Sequence, residues 1–215
     1  MKNILFETND LLISSIKSSF QLNSSIGEKE KLGLFGQELD ELEIIFDFLT
    51  LIDKPTKGNI YYKSKKINAL SAEEQKKLRS LEIGIANTKY LDLDMTVIDF
   101  VTLANYKLKE QKTSKNLRIN NLLNFFSLEM RSSSMIKDLN AYELEKLTLL
   151  TAIVNSPKIM IYLDVEEKLS KSEINEISKT IESINHVKGI SIVHLSNSIN
   201  RLHATKIIKL KNNKI

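Results

Sequence analysis

Cysteine and tryptophan are absent from this 215-residue chain, and glycine and proline are scarce, at six and two residues. Without cysteine there is no disulfide scaffold and no thiolate metal centre, and the composition fits a reducing compartment. The three histidines, His186, His194 and His203, stand at no metal-ligand spacing, so no metal site is expected. No stretch approaches the roughly 20 apolar residues of a membrane span. The N-terminus, Met1 to Glu7, is too short in apolar residues for a signal peptide. Any role at a membrane must therefore come through a partner. Neither sign of charge dominates: 31 basic and 27 acidic residues leave a formal charge of +4. They are interleaved, so nucleic acid is not an expected partner. What is present, 42% hydrophobic and 27% charged residues, reads as one soluble globular domain with a sizeable core.

Strands and helices alternate along the chain. Apolar and polar residues alternate in pieces from 11 to 36, predicting strands with a turn at Gly27-Glu28-Lys29. Residues 42–52 are apolar on most sides, a buried helix that stops before the turn Asp53-Lys54-Pro55-Thr56-Lys57-Gly58. Ile60-Tyr61-Tyr62 reads as a short strand. Ser71 with Glu74 has capping-box spacing and opens a polar helix to about Arg79. Thr96 with Asp99 opens another through about Lys109, and Ser114 begins a third. Between the first two lies the strand Glu82 to Ala86. Asn140 with Glu143 starts a helix that is apolar at Leu144, Leu147, Leu150 and Val154. Ile159-Met160-Ile161-Tyr162-Leu163 and Ile190-Ser191-Ile192-Val193 are continuous apolar runs, as parallel strands buried on both faces require. The helix between them starts near Ser172. Ile207 to Leu210, Asn212-Asn213 and Lys214-Ile215 read as a strand, a turn and a return. The basic residues of this tail (Arg201, Lys206, Lys209, Lys211, Lys214) read as a solvated face. The alternation predicts a parallel sheet covered on both sides, with residues 96–138 as a helical insert.

One stretch stands in the setting of a phosphate-binding loop. The apolar run Leu32-Gly33-Leu34-Phe35 enters Gly36, and a helix follows. A P-loop, G-x-x-x-x-G-K-[ST], holds phosphate on backbone N–H groups and a helix N-terminus, with a lysine adding charge. Counted from Gly36, the second glycine is Glu41, the lysine is Leu42 and the hydroxyl residue is Glu43. Glu38, Asp40, Glu41, Glu43 and Asp47 bring five carboxylates and no base. One like-charge pair at about 4 Å costs roughly 4 kcal/mol at an effective dielectric near 20. Micromolar binding is worth only about 8 kcal/mol in all. Carboxylates also suit the first turn of any helix, so the acids have a purely structural reading as well.

The order and spacing of these segments resemble the ATP-binding cassette of ABC transporters, closest to the lipoprotein-release, macrolide-export and FtsE-like group, over nearly the whole chain. The likeness is carried by Leu51 to Ile60, by Leu78-Arg79 ahead of Ile83-Gly84, by Met95 to Asp99, by Val154-Asn155-Ser156-Pro157-Lys158-Ile159 and by Ala204 to Ile215. It implies a P-loop NTPase-like α/β fold, a mostly parallel sheet with an antiparallel β part, as a single domain: an α/β core at 1–95 and 139–215 and a helical subdomain at 96–138. It also implies ATP and magnesium as the cofactors of an intact site, and two partners, a membrane permease and a second cassette, the same or different. The location it implies is cytoplasmic, peripheral at the inner face of the membrane. In the family the region around the Q-loop and the helical insert contacts the permease, which points to Tyr90, Leu91, Leu93 and Met95.

At the positions where the family does chemistry, this chain departs from it. The Q-loop glutamine aligns with Thr88. The signature LSGGQ aligns with Leu139-Asn140-Ala141-Tyr142-Glu143, with Tyr142 where phosphate would approach, and the arginine three residues on is Lys146. Counting from Pro157, the Walker B aspartate is Leu163 and the glutamate is Asp164; a one-residue slip makes Asp164 the aspartate. The D-loop reads Glu167-Lys168-Leu169-Ser170. The H-loop histidine aligns with His194, or by counting back from Ala204 with Leu195 or Ser196. Phe6 is the candidate adenine-stacking aromatic, in a first strand that looks truncated ahead of it. The expectation is a degenerate cassette with no cofactor, working by docking; the alternative is a divergent but active ATPase energising transport. Asp164 and His194 are the candidate catalytic residues, with Phe6, Gly36, Glu41, Leu42, Glu43 and Thr88 at the degenerate nucleotide-binding positions.

Overall fold

The computed structural model of the protein describes residues 3–14, 19–105, 111–164, 168–202 and 204–210. Its centre is a parallel sheet of five strands: β3 (Lys31–Phe35), β6 (Ile83–Ala86), β7 (Ile159–Asp164), β8 (Ser191–Ser196) and β9 (Lys206–Lys209), in the order β6-β7-β8-β3-β9. All six residues of β7 and all six of β8 are buried, so both faces are covered, as their unbroken apolar runs demand. A second, antiparallel sheet has the order β2-β1-β4-β5, from β1 (Ile4–Ser14), β2 (Ser19–Gly27), β4 (Asn59–Tyr62) and β5 (Lys65–Lys66).

Helix α1 (Leu39–Leu49) packs between the two sheets. Its Leu42, Ile45, Phe46 and Leu49 join Leu34, Leu163 and Leu195 of the parallel sheet and Leu11, Ile13 and Ile60 of the antiparallel one in a single core. The other face of the parallel sheet, with Met160, Tyr162 and Ile192, meets α5 (Ala141–Ile153) and α6 (Lys171–Lys188). That second core takes in Val97 and Val101 of α3 (Val97–Ala104) and Ile119, Leu122 and Leu123 of α4 (Lys112–Phe125). The helical segment therefore shares its core with the sheet. Helix α2 (Ala72–Leu81) stands against β6. The described residues include no helix long and apolar enough to cross a membrane.

Local chemistry sets the helix starts. Ser71, Asn140 and Ser170 each accept from the backbone three residues on, and Glu74, Glu143 and Glu173 return the bond to the cap's own N–H. Thr96 accepts from Asp99 N. Several boundaries differ from the sequence reading. α3 ends at Ala104, with Asn105 as its cap, well before Lys109. Asn105 is held by the Arg118 guanidinium, and Ala104 O accepts from Asn155 Nδ2 at 2.8 Å, so side chains take over where the ladder stops. α1 begins at Leu39 and ends at Leu49; Leu51 then turns the chain with a φ of 58°. α4 starts at Lys112 and α6 at Lys171, two residues or one ahead of Ser114 and Ser172. β1 begins at Ile4, two residues ahead of Phe6, and runs to Ser14. The closing turn at Asn212-Asn213 and the return strand lie outside the described residues.

Gly84 marks the tightest approach in the fold. A Cβ on it would stand 2.2 Å from the carbonyl oxygen of Ala152 in α5, a contact with backbone that no rotamer relieves. Overpacking of a closed core costs about 1–3 kcal/mol. Gly84→Ala is expected to lower the urea midpoint by at least that much, with an unchanged denaturant slope. Wild-type stability of Gly84→Ala would show that β6 and α5 do not pack this closely.

Candidate functional site

In an open parallel sheet, ligand groups gather beyond the carboxyl ends of the strands. Here β3, β8 and β7 end side by side. Phe35 pairs with Ser196, and Ser196 with Asp164; Gly36 N donates to Ser196 O at 3.3 Å. Gly36, Ser196 and Asp164 thus stand in one row, with α1 starting three residues beyond Gly36.

The loop between Gly36 and α1 is too short and too full to wrap phosphate. Only Gln37 and Glu38 intervene before the helix begins at Leu39. A Cβ on Gly36 would lie 3.1 Å from Leu42 Cδ2 and 3.0 Å from Leu210 Cδ1. Leu42, fully buried, therefore turns its branched end back onto the glycine and occupies the cradle itself. Leu163, on the same face of the sheet, joins the same apolar core. Leu42 and Leu163 thus share one apolar core; in the register counted from Gly36 and Pro157 they hold the lysine and aspartate positions, and in the slipped register the aspartate is Asp164. Glu41 is buried at the start of α1 and Glu43 half-buried, and Asp47 accepts from the Tyr90 hydroxyl at 2.9 Å. Residues 36–43 include no cation, so the loop does not supply the lysine that magnesium-bound ATP calls for.

The opposite face of the same strand ends is polar. Tyr162 pairs with His194 and Asp164 with Ser196, so these four side chains share one side. The Asp164 carboxylate lies 2.8 Å from Arg201 Nη2 and 3.5 Å from His194 Nε2. The side chains of Asp164, His194 and Arg201 are 4%, 2% and 10% exposed. The His194 ring lies 4.6 Å from that of Tyr162. Burial, with the carboxylates of Glu145 and Asp164 nearby, pushes the Tyr162 hydroxyl well above the ordinary tyrosine range, so it keeps its proton. Arg201 arrives on the short 3-10 turn Ile199–Arg201 that follows β8. It does not lie on a solvated face, contrary to the sequence reading; Lys206 and Lys209 do. The arrangement neutralises a buried carboxylate with an internal guanidinium. His194 sits two residues short of the strand's last residue, Ser196.

The remaining sequence candidates do not converge on one cavity. Phe6 is buried within β1 and its core, with no ring face open for stacking. Thr88 begins the 3-10 turn Thr88–Tyr90, whose backbone Asn87 caps through Lys89 N. Asn140 caps α5, and its Glu143 also takes Arg131 Nε at 2.7 Å. The Tyr142 ring carries Lys146 Nζ at 4.3 Å from its centroid. At the start of this helix the N–H groups of Glu143 and of its cap Asn140 are thus served from within. Of the D-loop segment, Glu167 lies outside the described residues. Sequence reasoning missed Arg201 and Tyr162; the pairing of an unbroken strand run with a polar residue at every second position was the available signal.

No family model matches the chain. Its sequence is 25% identical over 196 residues to an uncharacterised ABC transporter ATP-binding protein of Methanocaldococcus jannaschii, covering 90% of this chain and 87% of that one. It is 22% identical over 216 residues to the lipoprotein-releasing system ATP-binding protein LolD of Buchnera aphidicola, covering 99% and 93%. The fold superposes on the dimeric ABC transporter cassette MJ0796 with a TM-score of 0.85 at 20% identity, over 96% of this chain and 94% of the other. The architecture is that of the ATP-binding cassette of ABC transporters. The sequence relatives are ATP-binding subunits of such transporters, the lipoprotein-releasing group among them.

The buried pair makes its own prediction. Asp164→Asn removes the carboxylate 2.8 Å from the Arg201 guanidinium, and breaking a buried pair in this way costs about 3–5 kcal/mol. Asp164→Leu with Arg201→Met removes both charges and should lose clearly less than the sum of the single changes in a double-mutant cycle by urea unfolding. Additive losses would mean that the two groups do not interact.

Proposed function

We propose that this chain is a cassette subunit that has kept the fold and given up ATP hydrolysis, acting by docking to a membrane permease and pairing with a second cassette. The observation that carries the reading is the closure of the phosphate cradle: Leu42 packs on Gly36 and shares its core with Leu163. Metal-assisted phosphoryl transfer needs charge at both places, and each holds an aliphatic side chain. Asp164, at the position of the catalytic glutamate, is bound inward to Arg201 and takes no part in activating water. On this reading 96–138 is a helical subdomain between the two parts of the α/β core, and the subunit sits at the inner face of the membrane through its permease.

A groove supports the docking half of the proposal. It measures about 490 Å³ and is lined by Ile52, Ile85, Tyr90, Leu91, Phe100 and Leu103, among others. Ile52, Tyr90 and Leu103 on its wall are all exposed, and a contiguous apolar patch of this kind marks an interaction surface. An apolar helix face of a permease loop matches such a groove. Of the residues singled out in the sequence, Tyr90 and Leu91 line it; Met95 packs instead against the second core, and Leu93 is exposed outside it.

Two measurements test the two halves. A ligand at 100 times its dissociation constant adds about 2.7 kcal/mol to stability, several degrees in the midpoint of a chain this size. Millimolar Mg-ATP is expected to leave the thermal midpoint of the purified protein unchanged within about a degree, with no ATP turnover above a protein-free blank. A shift of several degrees with turnover would establish a divergent active ATPase. For docking, Leu103→Glu is expected to leave the melting temperature in place, because the side chain is exposed. It should release the chain from the membrane fraction of its native cells by roughly tenfold, the equivalent of about 1.4 kcal/mol. Unchanged membrane recovery would place the partner elsewhere.

A further inference from the structure

A second cavity opens at the other end of the sheet. It measures about 580 Å³, within the range of small-molecule sites, and its wall includes Leu117, Arg118, Lys158, Lys188 and Ile190. It lies where β7 and β8 begin, flanked by Lys158 and Ile190, roughly 17 Å along the strands from Asp164 and Ser196 at about 3.3 Å per residue. Neither the closed phosphate cradle nor the apolar groove reaches it except at Pro157, which borders both cavities.

Three features make it a built pocket. The first is charge: Arg118, Lys158 and Lys188 line it, and among the described residues no carboxylate does. Glu82, whose backbone oxygen accepts from Lys158 N, has its carboxylate engaged by the Tyr62 hydroxyl and by Lys63 Nζ at 3.2 Å. The ends of α5 and α6 bring partial negative charge to this region, but the full charges of Lys158 and Lys188 outweigh two half charges. The second is fixed geometry. Arg118 is half-buried and anchored to buried Asn105. Lys188 Nζ rests 4.9 Å from the centroid of the Phe125 ring. The backbone of Lys158 is held between Glu82 O and Ser191 N at 3.0 Å each. The third is an apolar floor from Leu122, Ile153, Pro157 and Ile190, with Leu117 exposed at the rim. An all-polar anion leaves that floor unused, and an uncharged lipid leaves the cations unused.

We infer that this pocket binds a small anionic amphiphile, an apolar chain or ring carrying a phosphate group, with Arg118, Lys158 and Lys188 around the phosphate and the apolar part against Leu122, Ile153 and Ile190. Such a ligand comes either as a free phosphorylated metabolite or as the headgroup end of an acidic lipid. The site is independent of nucleotide at the strand ends and holds whether or not the cradle is closed.

Decyl phosphate below its micelle concentration is the probe, titrated into the full chain by calorimetry. Saturable one-to-one binding is expected, at least tenfold weaker with inorganic phosphate, with decanol, or in the double variant Lys158→Gln/Lys188→Gln. Both lysines are exposed, so the variant should melt as the parent does, and a matched melting curve verifies it. Flotation with phosphatidic acid vesicles against phosphatidylcholine vesicles then separates the sources: retention that the double variant loses assigns a lipid, and decyl phosphate binding without retention assigns a free metabolite. No saturable binding to either probe, or binding that the folded double variant keeps in full, overturns the site.

Discussion

A strand buried on both faces must settle every polar group inside the molecule, and β7 and β8 impose that condition on the rest of the fold. Their twelve residues include Tyr162, Asp164, His194 and Ser196, all on one side. An isolated buried carboxylate is very costly, so the chain after β8 bends in a 3-10 turn that delivers Arg201. The side chains that carry the sheet's polarity face α5 and α6; those that carry its apolar bulk face α1. Each face dictates what its covering helices offer, down to Tyr162 meeting Glu145 and Leu163 sharing a core with Leu42.

The same constraint explains how the turn between β3 and α1 becomes part of the interior. A phosphate loop is a gap kept open by glycines and made favourable by charge. Once the lysine position is a leucine, the gap is the nearest apolar volume for it, and Leu42 fills it against Gly36. With Leu163 in the same core, the pair contributes packing in place of coordination. Restoring one charged residue would bury it against leucines, so the change is held in place by mutual packing. The acidic first turn of α1 is compatible with its helix and not with an anion.

Much of this was legible in the sequence. Period and run length placed β7, β8 and α5, and the cap residues Ser71, Asn140 and their glutamates set helix starts to the residue. That residues 36–43 hold one glycine and no lysine follows from counting alone. Three things were not legible. The end of α3 depends on Asn105, Arg118 and Asn155 meeting across distant stretches, which no local rule reports. Arg201 looked like one more cation in a basic tail because burial is a tertiary property. Phe6 looked like a free aromatic because the extent of β1 is decided by its pairing with β2 and β4.

The contact between Gly84 and Ala152 has a mechanical side. It joins the edge strand β6, one wall of the apolar groove, to α5 with no side chain between them to yield. α5 is 13 residues long, about 20 Å at 1.5 Å per residue, and its far end is the capped N-terminus at Asn140. A load applied at the groove near Ala152 therefore travels down a stiff rod and emerges at Asn140, Arg131 and Glu143. The contact is in that respect a fulcrum at a glycine, with α5 as the arm that turns about it.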